Sequence, residues 1–137
     1  MTQAGSRIPA STAQLLIGAY RDEEGWTPDK TRSVWLSSSD IDDIAALIAE
    51  SNGDGVRIYF GKYPADSASP VIPDPAYAGR VTTVFIPTLA TADGSHQDLF
   101  PPVATTGPAP ADGLQAFNHG ELCPPNCPPT TPTPGAA

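Results

Sequence analysis

The chain has 137 residues, with 15 acids against 7 bases and a net charge of −8, a length that fits one domain. The charge has the wrong sign for the phosphate contacts that drive nucleic-acid binding, and it disfavours anionic membrane surfaces. Apolar residues make up 39% and charged residues 16%, so small and turn-forming residues fill the balance and imply a folded body with much irregular chain.

Ten of the 17 prolines lie in the last 37 residues. The foldable part is therefore roughly the first hundred residues, enough for a thin core. Residues 1–117 are expected to form a compact domain, and 118–137 a Pro/Cys-rich tail packing on that body or on a partner. The start, Met1 to Ser11, carries one arginine and no apolar run, unlike a secretory signal. No apolar stretch reaches bilayer length. A cytoplasmic location is the resulting expectation.

In chain order, Ser11-Thr12-Ala13-Gln14 has the form of a capping box with Ser11 as N-cap. Leu15, Leu16, Ala19 and Tyr20 follow at helical spacing, which predicts a helix from about Thr12 to Asp22, ended by Gly25. Val34 to Leu36 is short and β-prone. Ser39 then reads as the N-cap of a second helix. Asp40, Asp42 and Asp43 occupy its first turn, where the helix dipole favours negative charge. Ile41, Ile44, Ala45, Leu47 and Ile48 form one apolar face, and Asn52-Gly53 supplies a left-handed stop.

Gly55 to Tyr63 alternates, with Val56, Ile58 and Phe60 on one face and Arg57, Tyr59 and Gly61 on the other. Ala65 to Gly79 holds three prolines and reads as a loop. Val81 to Leu89 is a second strand, whose Pro87 suits an edge or a strand end better than a central position. Beyond it Leu99, Phe100, Leu114, Phe117 and Leu122 are scattered apolar residues that could pin irregular chain to the body. From Cys123 the run CPPNCPPTTPTPGAA favours polyproline II. The fold class is α+β: a small sheet of about three strands, two helices on one face and an irregular Pro-rich C-terminal tail. The strand–helix–strand unit from Val34 to Phe60 predicts one parallel pair with a right-handed crossover.

The chemistry-bearing residues are few. Cys123 and Cys127 are separated by three residues, and His119 precedes Cys123 by four. One nitrogen and two sulfurs could serve zinc, with His96 or an acid as the fourth ligand. A short-loop disulfide and two reduced thiols are the other readings, and a reducing cytosol favours the thiols. His96-x-Asp98 together with His119 also mimics a two-His-one-carboxylate iron site, although loop histidines with backbone partners account for the same residues. No nucleophile elbow, P-loop or dinucleotide fingerprint occurs. Capping explains Ser37 to Ser39, and the first helical turn explains Asp40, Asp42 and Asp43.

Arg57 beside Tyr59 on one strand face is the most suggestive surface, because both residue types are enriched at contact hot spots. Equally, Arg57 could pair with an acid or carbonyl of the tail and hold the tail across that face. With Tyr63 and His119 these residues form the expected binding face. The leading expectation is a non-enzymatic module that binds a protein partner or its own copies through an edge strand and the Pro-rich tail, without cofactor, nucleic acid or membrane. The alternatives are a small zinc protein with His119, Cys123 and Cys127 as ligands, and a small enzyme using Arg57, Tyr59 and His96.

The core GVRIYFGKYP, the TTVFIPT strand and the closing NHGELCPPNCP together resemble a group of short, uncharacterised bacterial proteins with a GxRIY strand and a terminal CPPxC. The resemblance covers roughly Ser33 to Pro128. It implies one domain in which strand and tail work as a unit, and it assigns no catalytic residue.

Overall fold

The computed structural model of the protein describes residues 5–99 and 116–129. Phe100, Leu114 and the end of the chain from residue 130 lie outside the described residues.

Helix α1 spans Ala10–Glu24, two residues longer at each end than the spacing implies. Its N-cap is Pro9, without a side-chain cap, and Ala13 N donates to Pro9 O at 3.1 Å. Ser11 therefore lies inside the first turn instead of capping it. No residue of α1 is buried. Its apolar stripe, Leu15, Leu16 and Tyr20, faces outward, with Leu15 71% exposed.

Helix α2 spans Ser38–Glu50. Its capping box is built two residues earlier than expected: Ser37 Oγ accepts from Asp40 N, and Ser37 N donates to Asp40 Oδ2, both at 3.0 Å. Ser37, like Ser39, has an aspartate three residues on. The earlier start thus gains intrahelical bonds without losing its cap. Asn52 takes the left-handed conformation at φ 54°. Gly53 follows because a Cβ there would sit 2.7 Å from Thr88 O, so α2 ends directly against a strand.

The strands form two antiparallel sheets. β1 (Ser33–Trp35) pairs with β5 (Glu121–Cys123), setting Val34 opposite Leu122. β2 (Gly55–Lys62), β3 (Val81–Ala90) and β4 (His96–Asp98) make the second sheet in the order β2-β3-β4. The expected parallel pairing of the first strand with β2 does not form. β1 takes its partner from the returning C-terminal segment, and β2 takes β3.

Hydrogen bonds fix the phase of this sheet. Tyr63 N donates to Arg80 O at 2.9 Å, continuing the register in which Lys62 faces Val81. Arg57, Tyr59 and Gly61 therefore direct their backbone groups into β3, and Val56, Ile58 and Phe60 direct theirs to the opposite edge. Across β3 the phase agrees, since Phe85 exchanges bonds of 2.8 and 2.9 Å with Phe117 on the side away from β2. Pro87 stands in this central strand, not at an edge or end, with its side chain fully buried. Its carbonyl accepts from Leu99 N at 2.8 Å. Its missing N–H thus points away from β2, and the β2–β3 ladder loses nothing.

The core lies where the end of the chain comes back. Leu122 is fully buried among Tyr63 and Tyr77, with Val34 and Ile72 packed beside them. Tyr77 comes from a short 3-10 helix, Pro75–Tyr77, inside the segment expected to be wholly irregular; Asp74 caps it through Ala76 N at 2.9 Å. The Tyr63 and Tyr77 rings stack at 6.0 Å. Tyr77 Oη accepts from Leu122 N at 3.1 Å and from Asn126 Nδ2 at 2.7 Å. After β5 the chain turns instead of extending as polyproline II: Asn126 N donates back to Leu122 O at 2.9 Å. Gly120 fits because a Cβ there would approach Val34 Cγ1 to 2.3 Å. Among the described residues no helix is long and apolar enough to cross a membrane.

Truncating a fully buried leucine costs about 2–5 kcal/mol. Leu122→Ala is expected to lower unfolding stability by that amount in urea titrations. A loss below about 0.5 kcal/mol, the range of ordinary surface substitutions, would show that the returning segment is an appendage.

Candidate functional site

The polar face of the β2-β3-β4 sheet gathers most of the chemistry in the described chain. β-strand periodicity puts Arg57 and Tyr59 on one side of β2 and His96 and Asp98 on the same side of β4. Arg57 donates through a terminal guanidinium nitrogen to His96 O at 2.7 Å, and its Nε lies 3.4 Å from Asp98 Oδ1. Tyr59 Oη donates to Asp98 Oδ2. Asp54, just before β2, meets His96 Nδ1 at 2.9 Å and accepts from Thr88 Oγ1 at 2.9 Å. The result is one chain of contacts, Thr88–Asp54–His96–Arg57–Asp98–Tyr59, tying β2 to β4 across β3.

The acid and carbonyl that hold Arg57 come from β4, not from the tail. Electrostatics follow the contacts. Burial pushes the Asp54 carboxyl up, but its hydrogen bonds with Thr88 and His96, and the charge of His96, outweigh that and leave it below the ordinary carboxylate value. Tyr59 is raised, first by its hydrogen bond to Asp98 and then by burial and the Asp98 charge. In the turn before β4, hydrogen bonds from Thr91 and Ser95 hold Asp93 at about 2.

This arrangement resembles the orienting half of a hydrolytic triad, a carboxylate on the Nδ1 side of a histidine. The nucleophilic half is missing among the described residues: no hydroxyl or thiol bonds His96 Nε2, and Thr88 bonds the carboxylate instead. As it stands, the network is a clamp across the sheet face.

The other expected site residues separate. Tyr63, expected on the binding face, is a core residue whose hydroxyl donates to Asn118 Oδ1 at 2.9 Å; it is not available to a partner. His119 is exposed at φ 82°. It borders a groove with Lys62, Val71 and Asn118, at the end of β2 away from Asp54, and does not join His96. Cys123 and Cys127 are joined in a disulfide with Cα atoms 4.6 Å apart, which replaces the expected free thiols. Their sulfurs are bonded to each other, and no group of three or more His, Cys, Asp or Glu among the described residues is arranged to hold a metal ion.

Two surfaces were not legible as sites. The disulfide, Ile17, Trp26 and Arg32 line a small apolar cavity of about 160 Å³, where the Arg32 guanidinium lies 5.3 Å from the Trp26 ring centroid. The second is the outer edge of β2. No described strand pairs with it, and its apolar side chains are uncovered: Phe60 is 83% exposed and Ile58 51%. Phe60 also forms one wall of a groove of about 300 Å³ with Tyr20, Val34 and Val81. Alternation placed Phe60 on one face with Val56 and Ile58, and it does not by itself say that this face is covered.

Comparison of the chain with protein-family models, with curated proteins and with solved structures gave no match.

The lowered Asp54 value has a definite sign in pH dependence. Its contribution to stability is present above the unfolded carboxylate value and is lost as pH falls through the lower folded value. Asp54→Asn is therefore expected to flatten the fall in unfolding midpoint as pH drops below about 4, keeping the shares of Asp93 and Asp29, which are also lowered. An unchanged slope would contradict the Thr88–Asp54–His96 arrangement.

Proposed function

We propose that the protein is a non-enzymatic protein-binding module that works through the open edge of β2, with the Pro-rich tail as a secondary contact. The observation carrying this reading is the edge itself. An eight-residue strand offers a row of outward amides and carbonyls bordered by Ile58 and Phe60, both more than half exposed. Long apolar edges of this kind are normally shortened, charged or covered, and where they persist they serve strand addition. The Arg57–Asp98–Tyr59 clamp supports the reading. It draws the large polar side chains of β2 inward over β3, leaving the outer edge clear. Pro128 and Pro129, just after the disulfide, have restricted backbones, so this stretch loses little entropy on docking. The Cys123–Cys127 bond favours an oxidising compartment over the cytosol as the place of work.

The phase of the sheet supplies the test. Ile58 N–H points outward, so Ile58→Pro removes an edge donor without breaking a β2–β3 bond. Selection of eight-residue peptides on the full chain is expected to enrich alternating apolar sequences. Ile58→Pro should keep its circular dichroism spectrum and lose at least tenfold in affinity for them. Peptides that bind the variant equally well, or a selection without extended sequences, would contradict the proposal.

A further inference from the structure

The cavity beside the disulfide combines apolar walls with a cation that has no counterion, and we infer that it binds a small monocarboxylate carrying one ring or a short branched chain. The site shares no residue with β2, so it stands or falls independently of the edge reading.

Three parts of the chain build the cavity. Arg32 N donates to Cys123 O at 2.6 Å, and Ser33 faces Cys123 in the β1–β5 register. The strand pair therefore fixes the Arg32 side against the disulfide side. The turn after β5 brings Cys127 and Pro128, and α1 supplies Ile17. Trp26 enters directly after the α1 stop at Gly25. Ile17, the two sulfurs, Pro128 and the indole make apolar walls. The volume of about 160 Å³ is well below the roughly 300–1,000 Å³ of sites for drug-sized ligands, which excludes a nucleotide or a peptide. A cavity of about 150 Å³ admits one benzene ring.

Arg32 sets the charge of the occupant. Its guanidinium lies 5.3 Å from the Trp26 ring centroid. Arg21 and Arg57 each meet an aspartate, but among the described residues no carboxylate lies within ion-pair distance of Arg32. Arg32 Nε and Trp26 Nε1 are shut off from solvent and have no acceptor among the described residues. A charged donor in such a place is costly until an anion pairs with it. A carboxylate on the guanidinium supplies that anion while its apolar part fills the space beside Ile17 and the disulfide. A neutral ring would leave the cation unpaired, and an ammonium would meet a like charge. A phosphate would carry a second charge toward apolar walls. The net charge of −8 repels anions at long range, but physiological salt screens that repulsion beyond about 8 Å.

Proton–nitrogen NMR titration of the full, oxidised chain with benzoate, benzyl alcohol and benzylammonium tests this. Benzoate is expected to shift the Trp26 indole N–H and the Ile17 amide saturably. The Trp35 indole, which is not part of the lining, should stay in place. Benzyl alcohol should bind about tenfold more weakly, and benzylammonium should not bind. Arg32→Met should abolish the preference for benzoate over benzyl alcohol. Ile17→Trp fills the cavity from a half-buried helix position. It should block benzoate with the circular dichroism spectrum unchanged, and it keeps the test decisive if Arg32→Met does not fold. The inference is overturned by the absence of a saturable benzoate shift at Trp26, or by equal affinity for benzoate and benzyl alcohol. Benzoate binding that survives Ile17→Trp, or a folded Arg32→Met, overturns it equally.

Discussion

Burial of Leu122 is the contact on which the rest of the molecule depends. The first hundred residues provide a helix with no buried residue, a second helix with two, and a sheet covered only in part. That is little core for a body this size. The returning segment completes it. Phe117 adds to β3 opposite Phe85, with the two rings edge to face at 6.0 Å. Asn118 bonds Tyr63, Thr82 and Thr83. β5 then pairs with β1 and sets Leu122 between Tyr63 and Tyr77. The disulfide follows directly, fastening the turn after β5.

This closure decides which edges remain. β3 is flanked by β2 on one side and by β4 and Phe117 on the other. β1 is occupied by β5. Among the described residues the long strand left with an open side is β2, and the clamp from Arg57 and Tyr59 to Asp98 pulls its polar side chains away from that side. Polar network and apolar edge are thus two consequences of the strand's alternation. One set of side chains is spent inside the sheet, and the other set, with its backbone groups, faces out.

Local signals were legible where one element supplies them. The α2 stop at Asn52, the alternation of β2 and the extent of β3 follow from spacing and turn chemistry alone. The strand partners were not. Val34–Trp35 is too short to announce whether it pairs with β2 or with a segment nearly ninety residues later (Trp35 meets Glu121). Pro87 argued for an edge because its missing N–H was counted without knowing which side it faced. Tyr63 continued the β2 pattern and so read as surface, although the strand ends one residue before it and its ring turns into the core. At the site, Arg57, Tyr59 and His96 were visible, whereas Asp54 was not, because a lone aspartate before a strand carries no pattern. That no other described strand pairs with the outer edge of β2 depends on the strand partners, which only the assembled fold shows.

The central claim is that the segment from Phe117 to Cys123 folds with the body as one cooperative unit. Amide hydrogen exchange reads this at single residues. The Phe117 amide bonds Phe85 O, and the Leu122 amide bonds the buried Tyr77 hydroxyl. Cooperative folding predicts that both exchange as slowly as the Val84 amide in the middle of β3, which faces Tyr59 of β2, through global unfolding. Exchange of Phe117 and Leu122 near unprotected rates, with Val84 still protected, would contradict it.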